Sequence, residues 1–164
     1  MTVSKADDLG EAQARRLEKV SEQVTVLLRQ PEVAQRLRTA AGEAEWSARQ
    51  IFGHLVEMVP YWLGQCRVLL TSAEPPTFGR GLDTPERLAG PDQGALGDLE
   101  GMLGQWQASV KTATQTIRQM SAVERSTKGQ HVRRGEMTVS DIVDFFIVDH
   151  AEEHLAQMRA VLQR

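Results

Sequence analysis

The stretch LGDLEGMLGQWQASVKTATQTIRQM, residues 96–120, decides the fold. Apolar side chains recur at Leu96, Leu99, Leu103, Trp106, Val110, Ala113, Ile117 and Met120, in unbroken steps of three and four. An α-helix completes a turn in 3.6 residues, so this spacing keeps all eight on one stripe, and a stripe of that length is the seam of a helix bundle. Asp92, after Pro91, is placed to cap the helix, and no metal-binding side chain interrupts the stripe, so its role is packing.

Upstream, Leu17, Val20, Val24 and Leu27 repeat the spacing and predict a first helix over residues 5–28 with Ser4 as N-cap. Pro31 stops it, and a short helical piece over 32–38 is expected before Ser47 caps a second helix that runs to about residue 70. Residues 71–91 hold Pro75, Pro76, Pro85 and Pro91 with Gly79, Gly81 and Gly90, and read as a loop long enough to travel the bundle and leave helices 2 and 3 parallel. A fourth helix is expected after Thr138, with Asp141 completing a capping box, and it continues to about residue 163. No strand alternation or internal repeat is evident. The expected fold is therefore all-α, a four-helix bundle with a long connection between helices 2 and 3, forming one domain over residues 1–164.

The chain has 164 residues, 41% of them hydrophobic and 25% charged, enough for a sizeable core and ordinary for a globular protein. A formal net charge of −3 and a pI near 5.8 give no basic field for a phosphate backbone, so no nucleic-acid partner is expected. The start, MTVSKADDLGE, has no apolar signal core, and the apolar run 142–148 is interrupted by Asp144 and too short to cross a bilayer. With the single Cys66, no intramolecular disulfide can form. A cytoplasmic location without membrane partners follows as the expectation.

His150 and His154 lie one turn apart and about 40° around a helix, so their imidazoles share a face. Val139, Val143, Phe146, Ile147, Gln157 and Val161 fall within about 60° of His150, which predicts that both histidines point inward. On helix 2 the stripe Ile51, Met58, Tyr61, Gln65 and Leu69 is centred near His54. Antiparallel helices 2 and 4 would bring all three histidines level. Buried imidazoles need either hydrogen-bond partners or a metal, and both readings stand on the pattern alone. The Glu-x-x-His motif of di-iron bundles is absent, since Ile51, Ile147 and Ala151 occupy the required positions, and Ala151 after His150 removes HExxH.

Glu45-Trp46-Ser47 leading to His54-Leu55, Gly135-Glu136-Met137-Thr138, and Asp149-His150 through His154 to Gln157 together resemble the DinB/YfiT-like superfamily of metalloenzymes. Their order matches, as does the gap of roughly one hundred residues between His54 and His150. The resemblance implies a four-helix bundle, often a homodimer, in which His54, His150 and His154 hold a divalent transition metal. Zn, Ni, Fe and Mn all tolerate imidazole ligands. Some relatives transfer a low-molecular-weight thiol such as bacillithiol, or use mycothiol to isomerise maleylpyruvate.

Three neutral ligands leave a coordination position open, the pattern of a catalytic site. Glu57 and Glu153 stand about 60° from His54 and His150 and are candidates for second acceptor or general base, against the plainer role of solvated glutamates. Tyr61 and Gln65 lie farther along the His54 face, with core packing as the plainer role. Pro60 should kink helix 2 or end it. His131, with Lys128, Arg133 and Arg134, is expected in the loop before helix 4, as a basic rim or simply solvated. Cys66, about 120° from His54, reads as packing, and Trp46, Trp62 and Trp106 as core or interface aromatics. Two functions fit: a metal-dependent enzyme of the thiol S-transferase or isomerase type acting on a small-molecule substrate, or a non-catalytic metal-binding or homodimeric bundle.

Overall fold

The computed structural model describes residues 5–40 and 42–164. Helix α1 spans Lys5–Leu28 and α2 spans Ala48–Thr71. The expected cap Ser4 lies outside the described residues. Ser47 caps α2 in a full capping box: its side chain accepts from the Gln50 N–H, and the Gln50 side chain accepts from the Ser47 N–H. Instead of a helix over 32–38 there is one 3₁₀ turn, Pro31–Val33, from which Val33 enters the core. Pro60 does not end α2, which continues to Thr71 with the proline ring exposed.

The segment after α2 corrects the sequence reading most. Residues 71–91 are not all loop: a two-residue strand β1, Thr77–Phe78, is followed by a helix α3, Pro85–Leu96. Pro85 occupies the first turn, where its missing N–H costs nothing. Helix α3 lies against α2 through glycines. A Cβ on Gly53 would collide with the Gly90 carbonyl, and one on Gly94 would come within 2.9 Å of the Gly53 Cα. Buried Arg49 fastens the end of α3, donating to the carbonyls of Gly94 and Gly97. Asp92 therefore caps nothing. Helix α4 spans Leu99–Gln119 and is capped by Asp98, whose carboxylate accepts from the Gly101 N–H. Leu96, the first member of the predicted stripe, ends α3 and is 86% exposed, while Leu103, Trp106, Val110, Ala113, Ile117 and Met120 are buried as expected.

A single turn α5, Ala122–Arg125, leads into strands β2, Lys128–His131, and β3, Gly135–Thr138. With β1 these form a small sheet in the order β1-β2-β3: β1 parallel to β2, with Phe78 opposite His131, and β2 antiparallel to β3. Too short to alternate visibly, these strands left no signal in the sequence. The fourth bundle helix begins at the predicted Thr138–Asp141 capping box. It comprises α6, Val139–Ile142, a π-helical stretch, Val143–Asp149, and α7, His150–Gln163.

Side-chain pairs give the helix directions. Arg49 contacts Met102 and Phe52 packs on Trp106, so α2 and α4 run parallel, as the length of their connection predicted. Trp46 faces His154, His54 faces His150, and Trp62 stacks on Phe146, which makes α2 antiparallel to the fourth helix. Arg118 pairs with Glu11 and Glu18, and Arg29 with Glu100, tying α1 antiparallel to α4. Leu17, Val24, Ile51, Leu55, Trp106, Ile117 and Ile147 belong to the core these helices share.

Candidate metal centre and its cavity

The three histidines meet. His54 Nε2 lies 3.2 Å from His150 Nε2, and His154 Nε2 lies 2.9 Å from the same atom. Together they can offer one ligand atom each around a common point. His54, six residues into α2, is 2% exposed, between Phe52 and Leu55 on the buried face. His150 and His154 turn their rings inward toward His54 as predicted, but they are half-buried and stand beside the buried stripe rather than at its centre. The buried stripe of α7 is Ala151, Leu155, Met158 and Leu162, and Gln157 is exposed. The π-helical stretch explains the offset: its i to i+5 bonds make a wider turn, so the α-helical count fails across residues 143–149. Phe146, Ile147 and Val148 are consecutively buried there, and His150, the first residue after the stretch, sits at the core's margin.

Polar partners orient the rings. Gln157 Oε1 lies 2.8 Å from His154 Nδ1, and an amide oxygen can only accept, so Nδ1 carries the proton and Nε2 presents its lone pair to the centre. His54 Nδ1 is buried without a hydrogen-bond partner among the described residues, with Glu57 Oε2 4.0 Å away. Trp46 covers this side, its ring 5.4 Å from His54 and 6.5 Å from His154. Burial, reinforced by the neighbouring imidazoles, pushes His54 down to about 3, and burial with His154 pushes His150 down to about 4. Burial lowers His154 as well. All three are therefore neutral donors near pH 7. Three lone pairs converging at these distances cannot all be satisfied by hydrogen bonds among themselves, since each N–H donor removes one acceptor. The donor set fits a divalent transition metal.

His54 and His150 open into a cavity of about 540 Å³ that is also lined by Arg80, Arg87, Arg133 and Arg134. Arg80, just after β1, donates to both Glu57 oxygens at 2.5 and 2.7 Å and lies 3.7 Å above the Tyr61 ring. Glu57 is thus paired with Arg80 and partly buried rather than a freely solvated glutamate. Arg87 is carried by α3 and donates to the Leu82 carbonyl. Burial depresses it, and the positive charge of Arg80 adds to the effect. Arg133 and Arg134 come from the β2–β3 turn, with Arg134 3.9 Å over Phe145. Glu153 also lines the cavity and is exposed.

His131 is not in a loop or solvated: it sits in β2, 6% exposed, and lines the cavity. Its Nδ1 accepts from the Arg133 N–H, and its Nε2 is buried without a partner among the described residues. Beside it, Phe146 stacks on Trp62 with centroids 3.9 Å apart and planes 7° apart. Lys128 turns elsewhere, to Glu136. Gln65 accepts from the Gly79 N–H, holding the chain at a φ of +89° beside the His131 ring. Burial pushes the Cys66 thiol up to about 12, so it stays protonated as a packing residue. Sequence reasoning missed Arg80, Arg87 and Phe145 as cavity residues, and it placed Phe146 on the His150 face only as part of the core stripe.

Among the described residues no helix is long and apolar enough to cross a membrane. No curated protein matches the chain. Among solved structures it is similar to YfiT from Bacillus subtilis, described as a probable metal-dependent hydrolase with an unusual four-helix bundle topology. That likeness has a TM-score of 0.80 at 19% identity and covers 99% of this chain and 90% of the other. The family model for the DinB superfamily matches residues 11–158, and the chain belongs to that superfamily.

Proposed function

We propose that the protein is a metal-dependent enzyme that activates a low-molecular-weight thiol for transfer to a small electrophilic substrate. The observation that carries this reading is the convergence of three neutral imidazole nitrogens at the edge of a cavity large enough for a small molecule. His54, His150 and His154 would hold the ion, and a divalent metal there supplies Lewis acidity and lowers the pKa of a coordinated thiol or water. Gln157 holds the His154 lone pair in place, and the Arg80 clamp holds Glu57 beside His54. Glu153, exposed on the cavity wall, accepts the thiol proton. The sulfur then forms a bond to the electrophilic carbon, and the leaving group departs with the electron pair of the bond that breaks. Cys66, buried and protonated, does not supply the thiol, so the sulfur comes from a cosubstrate.

A second reading replaces the thiol by water and gives a hydrolase, the activity attributed to YfiT. Elemental analysis of protein purified without an affinity tag tests both, with about one metal per chain expected; none would overturn them. If metal-loaded protein neither binds nor transfers common low-molecular-weight thiols, the transferase reading is lost. Glu153→Gln is expected to lower turnover roughly 100-fold or more while leaving metal content unchanged.

A further inference from the structure

The arginines that line the cavity with His54 and His150 carry a conclusion about the substrate. The chain as a whole is acidic, at −3, yet this one cavity is lined by four guanidinium groups against the single carboxylate of Glu153. Arg80 is matched by Glu57 behind it. Arg87, Arg133 and Arg134 form no ion pair among the described residues, which leaves three cations against one anion. Arg87 donates to the Leu82 carbonyl and Arg134 lies over Phe145, but like charges gathered around one cleft still repel one another, and no ion pair among the described residues offsets these three. An anion placed among them relieves that repulsion, and guanidinium forks match the two oxygens of a carboxylate.

The apolar wall sets the rest of the ligand. Phe146 lies nearly parallel to Trp62, centroids 3.9 Å apart, and His131 stands beside both rings, 5.0 Å from Phe146 and 5.9 Å from Trp62. Phe145, 40% exposed under Arg134, extends the aromatic surface toward the opening. A flat apolar body can lie along this wall with its acid groups turned to the arginines.

We infer that the cavity binds a small dianionic acid, a flat apolar body bearing two carboxylates, with Arg87 and Arg133 as the residues that select it. The inference rests on the reading of this cavity as the substrate site of a metal-dependent enzyme, but its charge argument involves the arginines alone. Phthalate, a benzene ring with two carboxylates, is therefore the probe, titrated calorimetrically into metal-free and zinc-loaded protein beside its neutral dimethyl ester and inorganic phosphate.

Phthalate is expected to bind both forms, and at least about tenfold more tightly than the ester or phosphate. Arg87→Gln and Arg133→Gln should each weaken it roughly tenfold, with helix content and zinc stoichiometry unchanged. Arg133 is exposed, so its replacement keeps the test informative if the α3 variant folds poorly. Variants that bind phthalate as tightly as the parent overturn the selection by arginine. Equal binding of the ester, or no binding of phthalate to either form, overturns the dianion, and equal binding of inorganic phosphate overturns the flat apolar body. Absence of zinc binding with intact phthalate binding would sink the metal reading and leave this one standing.

Discussion

The two sides of the cavity are built in different ways. The histidine side comes from two long helices, α2 and the fourth bundle helix, whose capping boxes and buried stripes fix His54 inside the core and His150 and His154 at its margin. The arginine side comes from short pieces: the residues after β1, the glycine-packed helix α3, and the β2–β3 turn. The contrast assigns the roles. Ligands that must stay within tenths of an ångström of a common point stand on rigid elements, and groups that choose a substrate stand on segments that can vary without disturbing the core.

The variant expected to have the largest effect breaks the histidine side alone. His150 Nε2 is the atom both other rings approach, so His150→Ala removes the centre of the ligand set. Loss of a group that merely orients a ligand costs 10–100-fold in metal affinity, so loss of this ligand should exceed roughly 100-fold in a zinc titration. Phthalate binding to the metal-free variant should change little. Unchanged zinc affinity would remove the three-ligand model.

Protonation separates the two sides next, because histidines titrate in the accessible range and guanidinium groups do not. His54 at about 3 and His150 at about 4 both lie below the ordinary value of 6.5, and His154 and His131 are lowered by burial. Above about pH 6.5 these imidazoles are neutral in both the folded and the unfolded chain. As pH falls below that, the unfolded chain takes up protons the folded chain refuses, so stability declines, by up to about 1.4 kcal/mol per pH unit for each proton. The decline continues until His150 and then His54 are protonated in the folded state. Carboxylates held low by arginine, such as Glu11 beside Arg118, add to the loss only nearer their ordinary value of 4.5. The urea midpoint of metal-free protein should therefore fall between pH 7 and pH 5.5, while phthalate affinity, corrected for the probe's own second protonation near the lower pH, changes by no more than about twofold. A constant midpoint would mean that the histidines are hydrated in the folded protein.

The same division explains what could be read in advance. Periodicity over many turns revealed all four bundle helices, the Ser47 and Thr138 caps, and the common face of His150 and His154. Such signals accumulate with length. Four-residue strands and a helix that begins at Pro85 and contains Pro91 do not accumulate any, so α3 looked like loop, and Arg80 and Arg87 had no reason to be singled out. The π-helical stretch was equally invisible, because an α-helical count carries no mark of the register shift that buries Phe146, Ile147 and Val148 in succession. His131 looked like a loop histidine because its burial comes from partners distant in sequence, Phe78 and Phe146.

The smallest predicted effect isolates the arginine side without changing a charged residue. Gly94→Ala would place a methyl against the Arg49 carbonyl and 2.9 Å from the Gly53 Cα, which are backbone atoms that cannot rotate aside. Alanine in a helix normally gains about 1 kcal/mol over glycine, so a stabilised variant is the expectation if α3 has room. Overpacking costs about 1–3 kcal/mol and more against rigid neighbours, so the clash should win and leave the protein about 2 kcal/mol less stable by urea unfolding. Because α3 carries Arg87 and none of the histidines, its displacement should also weaken phthalate binding several-fold while zinc affinity stays within about twofold. Equal losses of both would mean that α3 supports the histidines as much as the arginines, and the two sides of the cavity would have to be treated as one unit.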